Sequence, residues 1–249
     1  MAKQGVKEHI LVAQDTSRYG MDFGGGSKLA ELMQKAAKID GVDWLRVLYC
    51  YPEETSEQLL DIIANTPNIC SYVDLPIQHV NDAVLKRMHR RGTSADIRRA
   101  VKGAHERGIT LRTSIIVGFP GETYEDFQET LSLIREVKYD SLFTFIYSPR
   151  KGTKAAEMPD PISQEEKGRW FRELLEVQGE IGCSSYHDYI GRTMRVLCEG
   201  PGRTRDGCLT GKSIQNIIVD FDGDKSLIGS FVDVKITDAL NWALIGELV

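Results

Sequence analysis

Clustered metal-ligating residues are the first thing this chain lacks. Its five cysteines (Cys50, Cys70, Cys183, Cys198 and Cys208) never fall within three residues of one another, which leaves no CxxC or CxxxCxxC motif. The five histidines, His9, His79, His89, His105 and His187, are equally dispersed, and no metal site is assigned. Runs of about 18 apolar residues, the length a membrane helix needs, are absent. The first residues, Met1-Ala2-Lys3-Gln4-Gly5, have no apolar signal-peptide core, and the chain reads as cytosolic. A strong excess of one charge is also missing: the net charge is −5 over 249 residues. No global field selects a partner, so nucleic acid, if bound, must meet a local patch. No sequence unit repeats, which excludes a solenoid.

What is present is a series of strand–helix units at roughly 30-residue spacing, the length of βαβ steps in a parallel sheet or barrel. Strands are expected at His9–Gln14, Trp44–Tyr49, Tyr72–Ile77, Leu111–Val117 and Ser141–Tyr147. Helices are expected from Lys28 to Lys38, after a Thr55/Gln58 capping box, over Asp82–His89 and Ser94–Arg107 with Gly108 as C-cap, and after a Thr123/Asp126 capping box. The central stretch is Leu111–Glu122: an apolar strand buried on both faces, then a turn at Gly118-Phe119-Pro120-Gly121. A tight turn and a ligand loop are about equally good readings of those glycines. The strand ends weigh further, since Gln14-Asp15, Tyr51, Gln78-His79, Gly118 to Glu122 and Tyr147-Ser148 would all meet on one rim. Five polar strand ends on one rim favour a ligand site.

A third capping box, Ser163/Glu166, opens a helix bearing Trp170, Leu174, Val177 and Ile181 on one face. From Gly191 the pattern changes to short alternating strands with glycine turns, which suggests a small antiparallel barrel of the oligonucleotide-binding kind. Arg192, Arg195, Arg203, Arg205 and Lys212 crowd its first part while the acids come later. A solvated surface is the default for such a run, and a patch for backbone phosphates is the sharper alternative.

Several segments together resemble the radical S-adenosylmethionine methylthiotransferases: Ala13-Gln14-Asp15-Thr16-Ser17-Arg18-Tyr19-Gly20, Leu75-Pro76-Ile77-Gln78-His79, Ile116-Val117-Gly118-Phe119-Pro120-Gly121-Glu122 and Tyr147-Ser148-Pro149-Arg150-Lys151-Gly152-Thr153. The terminal barrel resembles their TRAM domain. The resemblance implies an α/β fold: a partial (β/α)₆ barrel lacking its first strand over residues 1–160, a helical connection over 161–190 and an all-β TRAM domain over 191–249. It implies S-adenosylmethionine as cofactor, bound near Gln14, Gln78, His79, Val117, Gly118, Gly121 and Glu122, with glycine backbone in close contact. On that reading Gly118→Val abolishes binding without unfolding the chain.

The resemblance also implies a [4Fe-4S] cluster fed by an electron donor. The family's CxxxCxxC loop would lie upstream of Met1, so its ligands are absent here. No catalytic residue is assigned. Up to about Arg107 the chain resembles the branch that modifies an aspartate of a small-subunit ribosomal protein. From about Tyr139 it resembles the branch that modifies isopentenyladenosine next to the tRNA anticodon. The tRNA reaction is the leading expectation, with Arg192, Arg195, Arg203, Arg205 and Lys212 on phosphates. The ribosomal protein is the alternative, and a non-catalytic cofactor- and RNA-binding fragment is the reading from another class. Alone, the chain is expected to be inactive and colourless after cluster reconstitution. It is also expected to self-associate through the unpaired edge at Leu11, Val12 and Ala13.

Overall fold

The computed structural model describes residues 1–202 and 204–249. Five parallel strands carry the first part: β1 (Glu8–Leu11), β2 (Trp44–Val47), β3 (Tyr72–Asp74), β4 (Thr110–Val117) and β5 (Ser141–Ile146). β1 pairs with β2, and β3 with β4 and β5. The two sets are stitched by Leu45, whose amide donates to Asn68 and whose carbonyl accepts from Cys70. Helices α1 (Leu29–Ala36), α2 (Glu57–Asn65), α3 (Asp82–Arg87), α4 (Ser94–His105) and α5 (Tyr124–Val137) connect the strands. The expected parallel, open barrel is therefore observed.

Local chemistry explains most of the boundaries. Thr123 and Asp126 form the expected reciprocal box, and Thr93 with Asp96 forms an unanticipated second one. At α2 the cap is Ser56, which accepts from the Leu59 amide; Thr55 instead donates to the Tyr51 carbonyl. Ser163 caps its helix through the Glu166 amide. β3 ends at Asp74, short of the expected Ile77, because Pro76 has no N–H to donate.

β4 is not buried on both faces. Leu111, Thr113, Ile115 and Val117 pack outward under the helices, while Arg112, Ser114 and Ile116 are half-buried on the inner face. On β5 the same inner face exposes Phe143 and Phe145. The reason is closure: β5 pairs only with β4 among the described residues, so its inner side has no opposite wall.

α6 (Gln164–His187) lies along the barrel, with Trp170, Leu174, Val177 and Ile181 in the barrel core and Trp170 stacked on Phe127 at 5.5 Å. It then touches the second barrel, where Gly182 is required: a Cβ there would lie 2.6 Å from the Asn241 carbonyl oxygen. That barrel closes in the order β10 (Leu244–Leu248), β8 (Ile218–Phe221), β7 (Leu209–Ser213), β6 (Thr193–Pro201), β9 (Phe231–Ala239). It packs on the inner floor of the first, where Trp44, Cys70 and Tyr72 meet Leu197, Ile214 and Phe231.

Asp140, at the start of β5, accepts from the Leu111 amide at 2.9 Å. Burial raises its pKa above the ordinary 3.8, chiefly by desolvating the carboxylate. A carboxyl raised in the native state binds its proton more tightly there than in the unfolded chain. Its contribution to stability is thus greatest below pH 3.8 and declines as pH rises through the raised value. Asp140→Asn is expected to remove this decline, flattening the acid side of the stability curve in urea titrations. An unchanged curve would assign the acid response to other carboxylates.

Candidate cofactor cleft

The carboxyl ends of all five strands open into one cleft of about 690 Å³. Gln14 follows β1; Tyr49 and Tyr51 follow β2; Pro76 and Gln78 follow β3; Phe119 follows β4; Tyr147 and Ser148 follow β5. Ser114 and Ile116 supply the inner wall from β4 itself. The volume lies in the range of small-molecule sites, and amide, hydroxyl and aromatic groups converge there. Such a lining suits an adenosine-bearing cofactor, since Gln14 and Gln78 each offer a donor and an acceptor beside flat apolar rings. S-adenosylmethionine therefore fits the residues present.

Two lining residues hold left-handed backbone without being glycine: Tyr49 at φ +58° and Gln78 at φ +67°. Backbone of this kind costs free energy and persists where its surroundings enforce it. At Gln78 the enforcement is visible: its amide donates to Ser114, and its carbonyl accepts from Ile116. Arg90 is fixed as well, stacked 4.0 Å from the Tyr51 ring centre and donating to the Pro76 carbonyl. Arg90 and Arg150 both line the cleft, and neither has an ion-pair partner among the described residues.

Of the seven residues expected at the cofactor, only Gln14 and Gln78 line the cleft. His79 is fully buried behind it, with Nε2 3.2 Å from Glu122 Oε1 and Nδ1 accepting from the Asn81 amide. Glu122 is turned inward too, accepting from the Phe119 amide at 2.8 Å. The pair braces the turn from within, which corrects its placement in the lining. Val117 points into the helix-covered core.

Gly118 and Gly121 have φ of +75° and +77°, so the turn needs glycine for its backbone. The close neighbour of Gly118 is Lys167, whose Cγ would lie 2.5 Å from an added Cβ. The expectation that Gly118→Val spares the fold is therefore corrected. Even Gly118→Ala should cost about 2 kcal/mol in urea unfolding, from the left-handed backbone and the overfilled site. A neutral result would show that Lys167 yields.

Phe119 lines the cleft from within the expected Gly118 to Glu122 stretch. Tyr49, Arg90 and Arg150 were missed as lining residues; Arg150 lies inside a motif quoted above, whereas nothing local in the sequence marks Tyr49 or Arg90.

The basic residues of the second barrel are less segregated than their sequence order suggests. Arg205 pairs with Asp222 at 3.0 Å and Lys212 with Glu199 at 3.3 Å. Arg195 lies over Phe231 at 4.2 Å and opposite Asp233 in the ladder, and Arg192 lies over Tyr189. Antiparallel pairing brings distant acids beside them. Arg203 lies outside the described residues.

The residues present do not fit an iron–sulfur cluster, which needs three protein thiolates when one iron is kept for cofactor. Cys50, Cys70, Cys198 and Cys208 are buried and Cys183 is exposed on α6. Burial pushes the Cys70 thiol up to about 12, far from a ready thiolate. Among the described residues no three His, Cys, Asp or Glu side chains could hold a metal ion, and no helix is long and apolar enough to cross a membrane.

Comparison with known proteins places these features. Residues 1–134 match the radical SAM superfamily, and residues 187–249 match the TRAM domain. The chain is 42% identical to ribosomal protein uS12 methylthiotransferase RimO of Clostridium kluyveri, over 99% of this chain and 56% of that protein. It is 39% identical to the tRNA-2-methylthio-N(6)-dimethylallyladenosine synthase of Alkaliphilus oremlandii, over 100% of this chain and 53% of that protein. The chain thus spans about half the length of the curated relatives it matches. Among solved structures it resembles coproporphyrinogen III oxidase of Escherichia coli, a radical SAM enzyme, with a TM-score of 0.52 and 16% identity over 75% of this chain and 51% of that one. The first match takes in four of the five parallel strands and the second the whole closed barrel: the chain belongs to the radical SAM superfamily and carries a TRAM domain.

Proposed function

We propose that this chain is the cofactor-binding and TRAM portion of a radical S-adenosylmethionine methylthiotransferase whose acceptor is a small-subunit ribosomal protein. The observation that carries the cofactor assignment is the convergence of five strand ends on one cleft. Gln14, Gln78 and Ser114 would hold polar groups of S-adenosylmethionine, while Tyr49, Phe119 and Tyr147 would enclose its flat base. When bound with a reduced cluster, that cofactor supplies a radical able to take hydrogen from an unactivated carbon. Among the described residues no three thiols lie together to hold such a cluster.

The ribosomal-protein acceptor is favoured by the RimO relative and by the ion pairs that Arg205 and Lys212 already make. Exposed ion pairs are individually weak, at about 0–1 kcal/mol, so RNA phosphates could exchange with them. That exchange, together with the tRNA-modifying relative, supports tRNA as the second reading.

Titration calorimetry with S-adenosylmethionine tests the first step. Saturable binding is expected, weakened about tenfold by Gln78→Ala through lost hydrogen bonds. Heat that is absent, or unaltered by the substitution, would remove the cofactor from this cleft. For the acceptor, a basic ribosomal protein and tRNA are compared at rising salt. Affinity for tRNA alone, falling steeply with salt as counterion release requires, would reverse the preference.

A further inference from the structure

We infer that Lys167 is a positioning residue for the cleft: with Asp160 it latches residues 148–160 across the mouth and backs the Phe119–Tyr147 wall. The inference rests on the cofactor reading above only for what the cleft contains.

Lys167 lies in the first turn of α6, and its side chain is 0% exposed. A lysine ammonium is not left in such a place without a partner, because desolvating an unpaired charge is costly. The partner is Asp160 Oδ2 at 2.5 Å, seven residues earlier and flanked by Pro159 and Pro161. The same ammonium lies 5.3 Å from the ring centre of Tyr147. Tyr147 meets Phe119 edge-to-face at 5.2 Å, and both rings line the cleft. The aliphatic stem of Lys167 fills the space that a side chain at Gly118 would need. One side chain therefore touches the turn after β4, the residue after β5 and the end of the following segment.

That segment has few other ties. Ser148, Arg150, Thr153 and Ala155 line the cleft mouth. Its hydrogen bonds among the described residues are internal, such as Thr153 to Arg150, Ala156 to Thr153 and Met158 to Ala155. Asp160 to Lys167 is the single polar bond that fastens it to the barrel among those residues. A segment held by one bond opens locally at a rate and population which that bond governs. Losing it frees the mouth and unloads the Tyr147 ring, while the core under α6 keeps its packing.

Trypsin supplies a readout that needs no cofactor, because Arg150, Lys151 and Lys154 are exposed within the segment. Lys167→Met keeps the stem beside Gly118 and removes the charge; Asp160→Asn keeps Lys167 whole. Both are expected to speed cleavage at these three sites about fivefold or more, in proportion to the open population. Asp160→Glu should restore most of the protection. In parallel, affinity for S-adenosylhomocysteine, measured by calorimetry, should fall about tenfold in both variants, as a mobile wall is ordered at each binding event. Should Lys167→Met fail to fold, Asp160→Asn decides alone. Cleavage at the wild-type rate in Asp160→Asn overturns the latch. Faster cleavage with unaltered affinity overturns its role at the cleft. A wild-type chain that binds no S-adenosylhomocysteine, with variants still cut faster, removes the cofactor reading and leaves the latch standing.

Discussion

Glu122→Ala is expected to cost about 3 kcal/mol of folding stability, from two bonds to a buried carboxylate worth about 1.5–3 kcal/mol each and the donors they leave orphaned. The network dictates the protonation pattern. His79 Nδ1 accepts from the Asn81 amide, so the ring proton sits on Nε2 and is donated to Glu122 Oε1. The other carboxylate oxygen takes the Phe119 amide. Truncation strands an imidazole N–H and a backbone N–H where water does not reach, since both side chains are at most 1% exposed. Glu122→Gln retains an acceptor for one of them and should cost about half as much. Urea unfolding of the two variants checks the ranking. A loss below about 1 kcal/mol in Glu122→Ala would mean that solvent reaches the dyad. Because Phe119 is the ring that the bond holds at the cleft, a confirmed loss also marks the dyad as the support of that wall.

The sequence carried the architecture of this site better than its surface. Strand period, capping pairs and the polar strand ends located the barrel and the rim because each depends on neighbours within a few residues. The sense of individual side chains was not legible, and Glu122 shows why. An acid after a glycine turn reads as a ligand contact, yet the turn's backbone conformation points it back to His79, 43 residues away. Gly118 is similar: its need for glycine was clear, but the neighbour that enforces it comes from α6. In the TRAM barrel the basic run looked isolated until Glu199, Asp222 and Asp233 were brought beside it by strand pairing. Tyr49 and Arg90 owe their place to strained backbone and to stacking, neither of which leaves a local signature.

The largest effect is expected at Arg46, where removing the guanidinium should cost about 3–5 kcal/mol, the range for breaking a buried ion pair. Arg46 sits on β2 at 2% exposure, facing the floor of the open barrel. Its Nε meets Glu8 on β1, itself 10% exposed, while Nη1 and Nη2 donate to the carbonyls of Ile214 and Ser213 in the TRAM barrel. A planar fork reaches a carboxylate and two carbonyls at once; a lysine, a single point donor on a flexible stem, cannot. Beside it Trp44 meets Phe231 edge-on at 4.7 Å, so the contact between the barrels is apolar around one charged centre. Arg46→Ala leaves Glu8 buried without its cation and the Ile214 carbonyl without a donor, while Ser213 keeps the Asn216 amide; the loss falls on the β1–β2 pair and on the joint together. Calorimetric unfolding of the wild-type chain is therefore expected to show one transition. The variant should split into two, with the TRAM barrel melting separately. Glu8→Gln combined with Arg46→Met should lose less than Arg46→Ala, because no unpaired charge remains. A single, barely shifted transition in Arg46→Ala would show that the apolar rim alone joins the barrels, and that cleft and TRAM domain are coupled without this charge.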